Sequence, residues 1–154
     1  MKNILFICYG NICRSPMAEM IFKDMLYLSN KKHLANVESK GTSFEELGND
    51  IYTKAKEKLL EKKVKIERHI ARRVSKEDYN KYDIFICMEE SNIDELLSIF
   101  GSDPDNKIRL LLDEDIEDPW YTGDFDTVYD MIYEGCKKLL IELSNDWRNN
   151  YDDL

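Results

Sequence analysis

Residues 3–8 (NILFIC) leave the chain little freedom: a nearly unbroken apolar run without alternation has no face to offer water, so it reads as a strand buried on both sides. A short polar stretch, YGNICRS, follows it at once. Residues 16–29 (PMAEMIFKDMLYLS) then place Met17, Met20, Ile21, Met25 and Leu28 at helical spacing, with Pro16 suited to a first helical turn. The alternation of strand and helix continues. Residues 37–39 read as a second strand before a turn around Gly41, and residues 50–63 as a helix with Ile51, Ala55 and Leu59 inside. Ser75 and Asp78 stand at capping-box spacing ahead of a strand at 83–88 (DIFICM). Helices are expected at 91–100 and 125–143, with a strand at 107–112 between them. This order predicts an α/β chain: three layers, α/β/α, around a central, mostly parallel four-stranded sheet. In such sheets ligands bind beyond the carboxyl ends of the strands, where the loop from Tyr9 to Ser15 must lie.

Composition bounds the rest. The 154 residues, 43% hydrophobic with 6 Gly and 3 Pro, suit a single domain over 1–154. No apolar run approaches the ~20 residues of a membrane span, and the apolar start is too short for an export signal. No membrane insertion and a cytoplasmic location are the expectations. Four cysteines without a CxxC pair read as thiols rather than a disulfide framework. A net charge of -9 opposes nucleic acid, so an anionic ligand needs a local electropositive site.

Cys8-Tyr9-Gly10-Asn11-Ile12-Cys13-Arg14-Ser15 supplies one. It sets a thiol at the end of a buried strand, an arc of backbone behind it, and a guanidinium at the start of a helix. Backbone N–H groups of the arc and the helix terminus make a concave nest for a phosphate dianion, and the planar fork of Arg14 can hold two phosphoryl oxygens. The same field favours a Cys8 thiolate, the nucleophilic form, to which Ser15 can donate a hydrogen bond. A leaving alkoxide or phenolate then needs a proton. Asp118, in Glu117-Asp118-Pro119-Trp120-Tyr121, is the best candidate donor, and Trp120 and Tyr121 can wall a slot for an aromatic ring. Spacing alone leaves two bland alternatives open, a packed cysteine with a surface arginine and a simple acidic turn. No GK[ST] nucleotide loop occurs, and the cysteine spacings fit no structural zinc site, so neither a metal nor a cofactor is expected.

CYGNICRSPMAE, HIARRVSKEDYNKYDIFICMEESN and EDPWYTGDFDTVYDMI together resemble the low-molecular-weight protein tyrosine phosphatases, in order and over nearly the whole chain. The resemblance implies a phosphate-binding loop after the first strand. It makes Cys8 the nucleophile forming a phosphocysteine, Arg14 the phosphate clamp, and Asp118 the general acid and then the base. It assigns Asn11, Ser15, Ser39 and His69 to the network that shapes the loop; by itself His69 reads as an ordinary partly buried histidine and His33 as a solvated one. The implied substrate is a phosphotyrosine protein or peptide, with inorganic phosphate as product.

Two departures stand out. Where the family carries an aromatic wall this chain has Glu45, beside Phe44, which suggests a preference for basic flanks, and residues 49–56 lack the Pro-rich turn and Arg-Ala pair. Cys13 shares the loop with Cys8 and is expected to capture an oxidised Cys8 as a disulfide. The competing activities are weaker. An arsenate reductase needs closely spaced relay cysteines, whereas Cys87 and Cys136 stand apart, and a phosphoarginine phosphatase typically has Thr where Ile12 stands. A non-hydrolysing phosphopeptide-binding module would not need the acid.

Overall fold

The apolar runs pair side by side as strands β1 (Lys2–Cys8), β2 (Ala35–Gly41), β3 (Ile84–Cys87) and β4 (Ile108–Leu110) in a computed structural model that describes residues 1–151. All pairings are parallel and the order is β2-β1-β3-β4, so the first strand lies inside the sheet. That is why residues 4–8 are apolar without alternation: both faces of β1 are covered. Ile4, Phe6 and Cys8 point into one apolar cluster, and Leu5 and Ile7 into another.

The first cluster is closed by helices α1 (Arg14–Leu28), α2 (Thr53–Glu61) and α5 (Phe125–Tyr151), the second by α3 (Glu90–Phe100) and a 3-10 turn at Lys76–Asn80. This is the three-layer arrangement predicted, with all four strands parallel. No helix among the described residues is long and apolar enough to cross a membrane.

Several element bounds differ from the sequence reading, each for a local reason. β2 runs from Ala35 because all seven of its residues pair with β1, although Asn36, Glu38 and Lys40 carry polar side chains. α2 begins only at Thr53, because the Tyr52 N–H is taken by the Ile12 carbonyl. The Ser75–Asp78 capping box forms as read, yet it opens a 3-10 turn. In α1, Leu28 is exposed in the last turn, while Phe22 and Leu26 extend the buried stripe.

The path of the chain prepares a crevice. After β1 it enters α1 on one face, and after the adjacent β3 it enters α3 on the other, so the carboxyl ends of these neighbours open between diverging connections.

Candidate active site

The loop between β1 and α1 is held by one asparagine. Asn11 has φ of 59°, left-handed backbone that few residues other than glycine adopt without cost, and is fully buried. Its amide nitrogen donates to Ser15 Oγ at 2.8 Å and Ser39 Oγ at 3.0 Å, while its amide oxygen accepts the Arg72 N–H at 3.0 Å. The Asn11 carbonyl accepts from His69 Nε2 at 2.6 Å, and its own N–H points at Cys8 Sγ, 3.3 Å away. A carbonyl only accepts, so His69 carries its proton on Nε2. The arc is therefore fixed from β1, α1, β2 and the segment 69–72 at once.

Gly41 lets β2 come this close: a Cβ there would stand 2.6 Å from the Tyr9 carbonyl oxygen. Ser39 in turn donates to Glu19 at 2.7 Å, and Glu19 is paired with Lys23.

Cys8 Sγ lies at the floor of the arc, 2.9 Å from Ser15 Oγ. The first helical hydrogen bond of α1 runs from Met17 to the Cys13 carbonyl, leaving the N–H groups of Arg14 and Ser15 outside the helix ladder. The sulfur thus meets the first turn of α1 through Ser15 and the arc through the Asn11 N–H.

Arg14 is only 1% exposed. Its Nη1 donates to the Ile116 carbonyl at 2.8 Å and lies 3.2 Å from Glu89, and its Nη2 lies 3.5 Å from Asp118. Burial alone would weaken the guanidinium as a base, but Cys8, Glu89 and Asp118 outweigh it and raise its pKa, so it stays charged. Its Nε is buried and without a partner among the described residues. Such a donor costs free energy unless something accepts from it, and an oxygen held in the same pocket as Cys8 would.

Asp118 caps helix α4 (Pro119–Thr122), its Oδ1 accepting the Trp120 N–H at 3.0 Å. Pro at the first helical position and Gly123 in the left-handed region close the segment into one short turn. Trp120, 51% exposed, packs its ring 4.7 Å from Tyr52, which also lies 6.0 Å from Phe125. Tyr121, 83% exposed, stands at the mouth.

These groups enclose a small pocket of about 60 Å³, lined by Cys8, Tyr9, Gly10, Ile12, Cys13, Arg14, Glu45, Glu46, Asp118, Trp120 and Tyr121. All eleven sequence-selected loop and acid-segment residues line it or, for Asn11 and Ser15, support it from behind, as do Ser39 and His69. Glu45 does face the mouth, accepting a hydrogen bond from the Tyr9 hydroxyl at 3.1 Å. Sequence reasoning missed Glu89, Glu46, Glu19 and Tyr52. Glu89 had a usable signal, its place just past the end of β3 beside β1; the others depend on contacts between distant segments.

The remaining thiols are differently placed. Cys87 lies in the second apolar cluster and Cys136, on α5, in the first, and burial pushes both well up. Burial, and then the neighbouring Cys8, push Cys13 up as well. Among the described residues no group of three or more His, Cys, Asp or Glu is placed to hold a metal ion. A larger groove, about 500 Å³ between α1 and the edge strand β2, shares no lining residue with the Cys8 pocket and contains no cysteine or histidine.

Comparison with known proteins matches residues 3–149 to the family model described as low molecular weight phosphotyrosine protein phosphatase. The low molecular weight protein-tyrosine-phosphatase YfkJ of Bacillus subtilis is 35% identical over 153 residues, covering 95% of this chain and 98% of the relative. Its crystal structure superposes with a TM-score of 0.91 over 95% of this chain and 96% of the other. The low molecular weight phosphotyrosine protein phosphatase of Gallus gallus is 37% identical over 149 residues, covering 90% and 94%.

Proposed function

Because the chain belongs to the low molecular weight phosphotyrosine protein phosphatase family, an enzyme family, we propose that it hydrolyses phosphotyrosine in proteins or peptides through a phosphocysteine intermediate and releases inorganic phosphate. One observation supports the assignment of roles: Cys8, Asp118 and Arg14, whose buried Nε has no partner among the described residues, line one pocket.

The phosphoryl group sits in the arc with Arg14 and the loop N–H groups on its equatorial oxygens, and Cys8 Sγ attacks phosphorus in line with the ester oxygen. Asp118, as the acid, gives its proton to the departing phenol oxygen. In the second step the Asp118 carboxylate takes a proton from water, the water oxygen attacks phosphorus, and the sulfur leaves, accepting the Ser15 hydrogen bond again. Asn11, Ser39 and His69 hold the arc in the shape these steps need. Ile12 lines the pocket with an apolar side chain, which packs on an aryl ring and offers a guanidinium no hydrogen bond. Cys13 is the thiol that would capture a peroxide-formed Cys8 sulfenic acid, its sulfur displacing water to give a disulfide. Four buried thiols suit a reducing compartment, and we place the enzyme in the cytoplasm.

The test is hydrolysis of phosphotyrosine, phosphoserine and phosphoarginine side by side, with Cys8→Ser as the blank. Phosphotyrosine turnover that disappears in Cys8→Ser, while phosphate binding survives, is the expected result. Undiminished turnover in the variant, or a faster reaction on either of the other two, overturns the reading.

A further inference from the structure

A pocket of about 60 Å³ is far smaller than the ~300–1,000 Å³ of an ordinary ligand site, so it accepts a phosphoryl group and leaves most of the substrate at its mouth. The charges there are unusual for a site that admits a dianion. Arg14 is the one Lys or Arg among the lining residues, against the carboxylates of Glu45, Glu46 and Asp118, and it is already opposed by Glu89 and Asp118. Its unpartnered Nε marks where the anion goes; the two remaining carboxylates mark what surrounds it.

Among the described residues the Glu45 carboxylate accepts from the Tyr9 hydroxyl alone, and the Glu46 carboxylate from the Asn49 side-chain amide alone, at 2.7 Å. Among the described residues neither carboxylate is in an ion pair. Arg73 is committed elsewhere: its guanidinium lies 4.1 Å from the centre of the Phe44 ring and donates to the carbonyls of Thr42 and Val74. The hydrogen bond and charge of Glu45 raise the Tyr9 pKa, so this phenol remains a neutral donor that steadies the carboxylate.

Resting on the phosphotyrosine reading above, we propose that Glu45 and Glu46 make basic peptides the preferred substrates: phosphotyrosine with Lys or Arg beside it. Such flanking cations pair with two carboxylates that no Lys or Arg among the described residues pairs with. Acidic flanks meet like charge at the same mouth, and the attraction of Arg14 for the phosphoryl group has to overcome it.

The experiment measures kcat/KM for three phosphotyrosine peptides of one backbone, with Lys, Ala or Glu flanks, at low and high salt, on wild type, Glu45→Gln and Glu46→Gln. The basic-to-acidic ratio cancels any general effect of a substitution on catalysis. Each exposed pair is expected to contribute roughly 1.5- to 5-fold to that ratio. The ratio should shrink with salt, whose screening length falls to about 3 Å at 1 M, and in each Gln variant. A ratio of one or below, or one indifferent to both salt and substitution, overturns the proposal while leaving the phosphatase reading intact. Failure of wild type to hydrolyse any of the three peptides overturns both.

Discussion

Asn11 shows how much one side chain can carry when it is buried in a left-handed conformation. Its amide satisfies Ser15, Ser39 and the Arg72 N–H, three polar groups that would otherwise be stranded in the interior behind the phosphate arc. Asn11→Gly keeps the backbone conformation and removes the amide, so it isolates the hydrogen bonds. At about 0.5–1.5 kcal/mol net for each, the loss in unfolding free energy is expected near 2–4 kcal/mol, together with a fall in kcat/KM as the arc loosens. Asn11→Ala adds about 1–2 kcal/mol more, because a Cβ disfavours the positive φ. Denaturant unfolding of the three proteins checks both steps. A Gly variant as stable as wild type would mean that water replaces the amide and that the arc is shaped from elsewhere.

At the level of elements, Asp118 and Cys8, the proposed acid and nucleophile, sit on different connections, and Tyr52 joins them. Its N–H is bonded to the Ile12 carbonyl of the arc at 2.8 Å, and its ring packs on Trp120, two residues past Asp118. The start of α2 therefore positions α4 relative to the arc. Tyr52→Ala should let Asp118 wander, and a misplacement near 1 Å can cost about 10²-fold. The loss should be selective. A phenol with pKa ~10 needs a proton on leaving, the role proposed for Asp118, so phosphotyrosine turnover is expected to fall further than turnover of an activated nitrophenyl ester. Tyr52→Phe, which keeps the ring, should restore both. Equal losses on the two substrates would make Tyr52 a packing residue only.

For the molecule as a whole, the site ties together two of the crossovers and the segment that follows the last strand. Arg14 follows β1, Glu89 follows β3, and Ile116 and Asp118 follow β4, and all meet around one guanidinium. An anion bound at Arg14 should then stabilise the entire fold by linkage. Phosphate at a hundred times its dissociation constant contributes about 2.7 kcal/mol, and at roughly 2–4 °C per kcal/mol the melting temperature should rise by about 5–10 °C. Thermal unfolding against phosphate concentration reads this directly. Cys8→Ser is expected to keep the shift, since the nest and Arg14 remain, whereas Arg14→Lys should lose most of it, because an ammonium cannot reproduce the fork.

The sequence by itself determined the alternation of strands and helices and the three-layer, mostly parallel fold, and it singled out Cys8, Arg14 and Asp118, which line one pocket. These are written in local patterns: an apolar run, a helical repeat, a loop of fixed length, and a carboxylate before a proline. Element ends were less legible, since whether α2 starts at residue 50 or at Thr53 depends on a carbonyl 40 residues earlier in the chain. What only the tertiary structure decided was the company these residues keep. Glu89 beside Arg14, Glu19 beneath Ser39, Tyr52 against Trp120, and Glu45 with Glu46 at the mouth are all pairings between distant segments. No spacing rule encodes them, because the distance between two segments is set by how the helices close over the sheet.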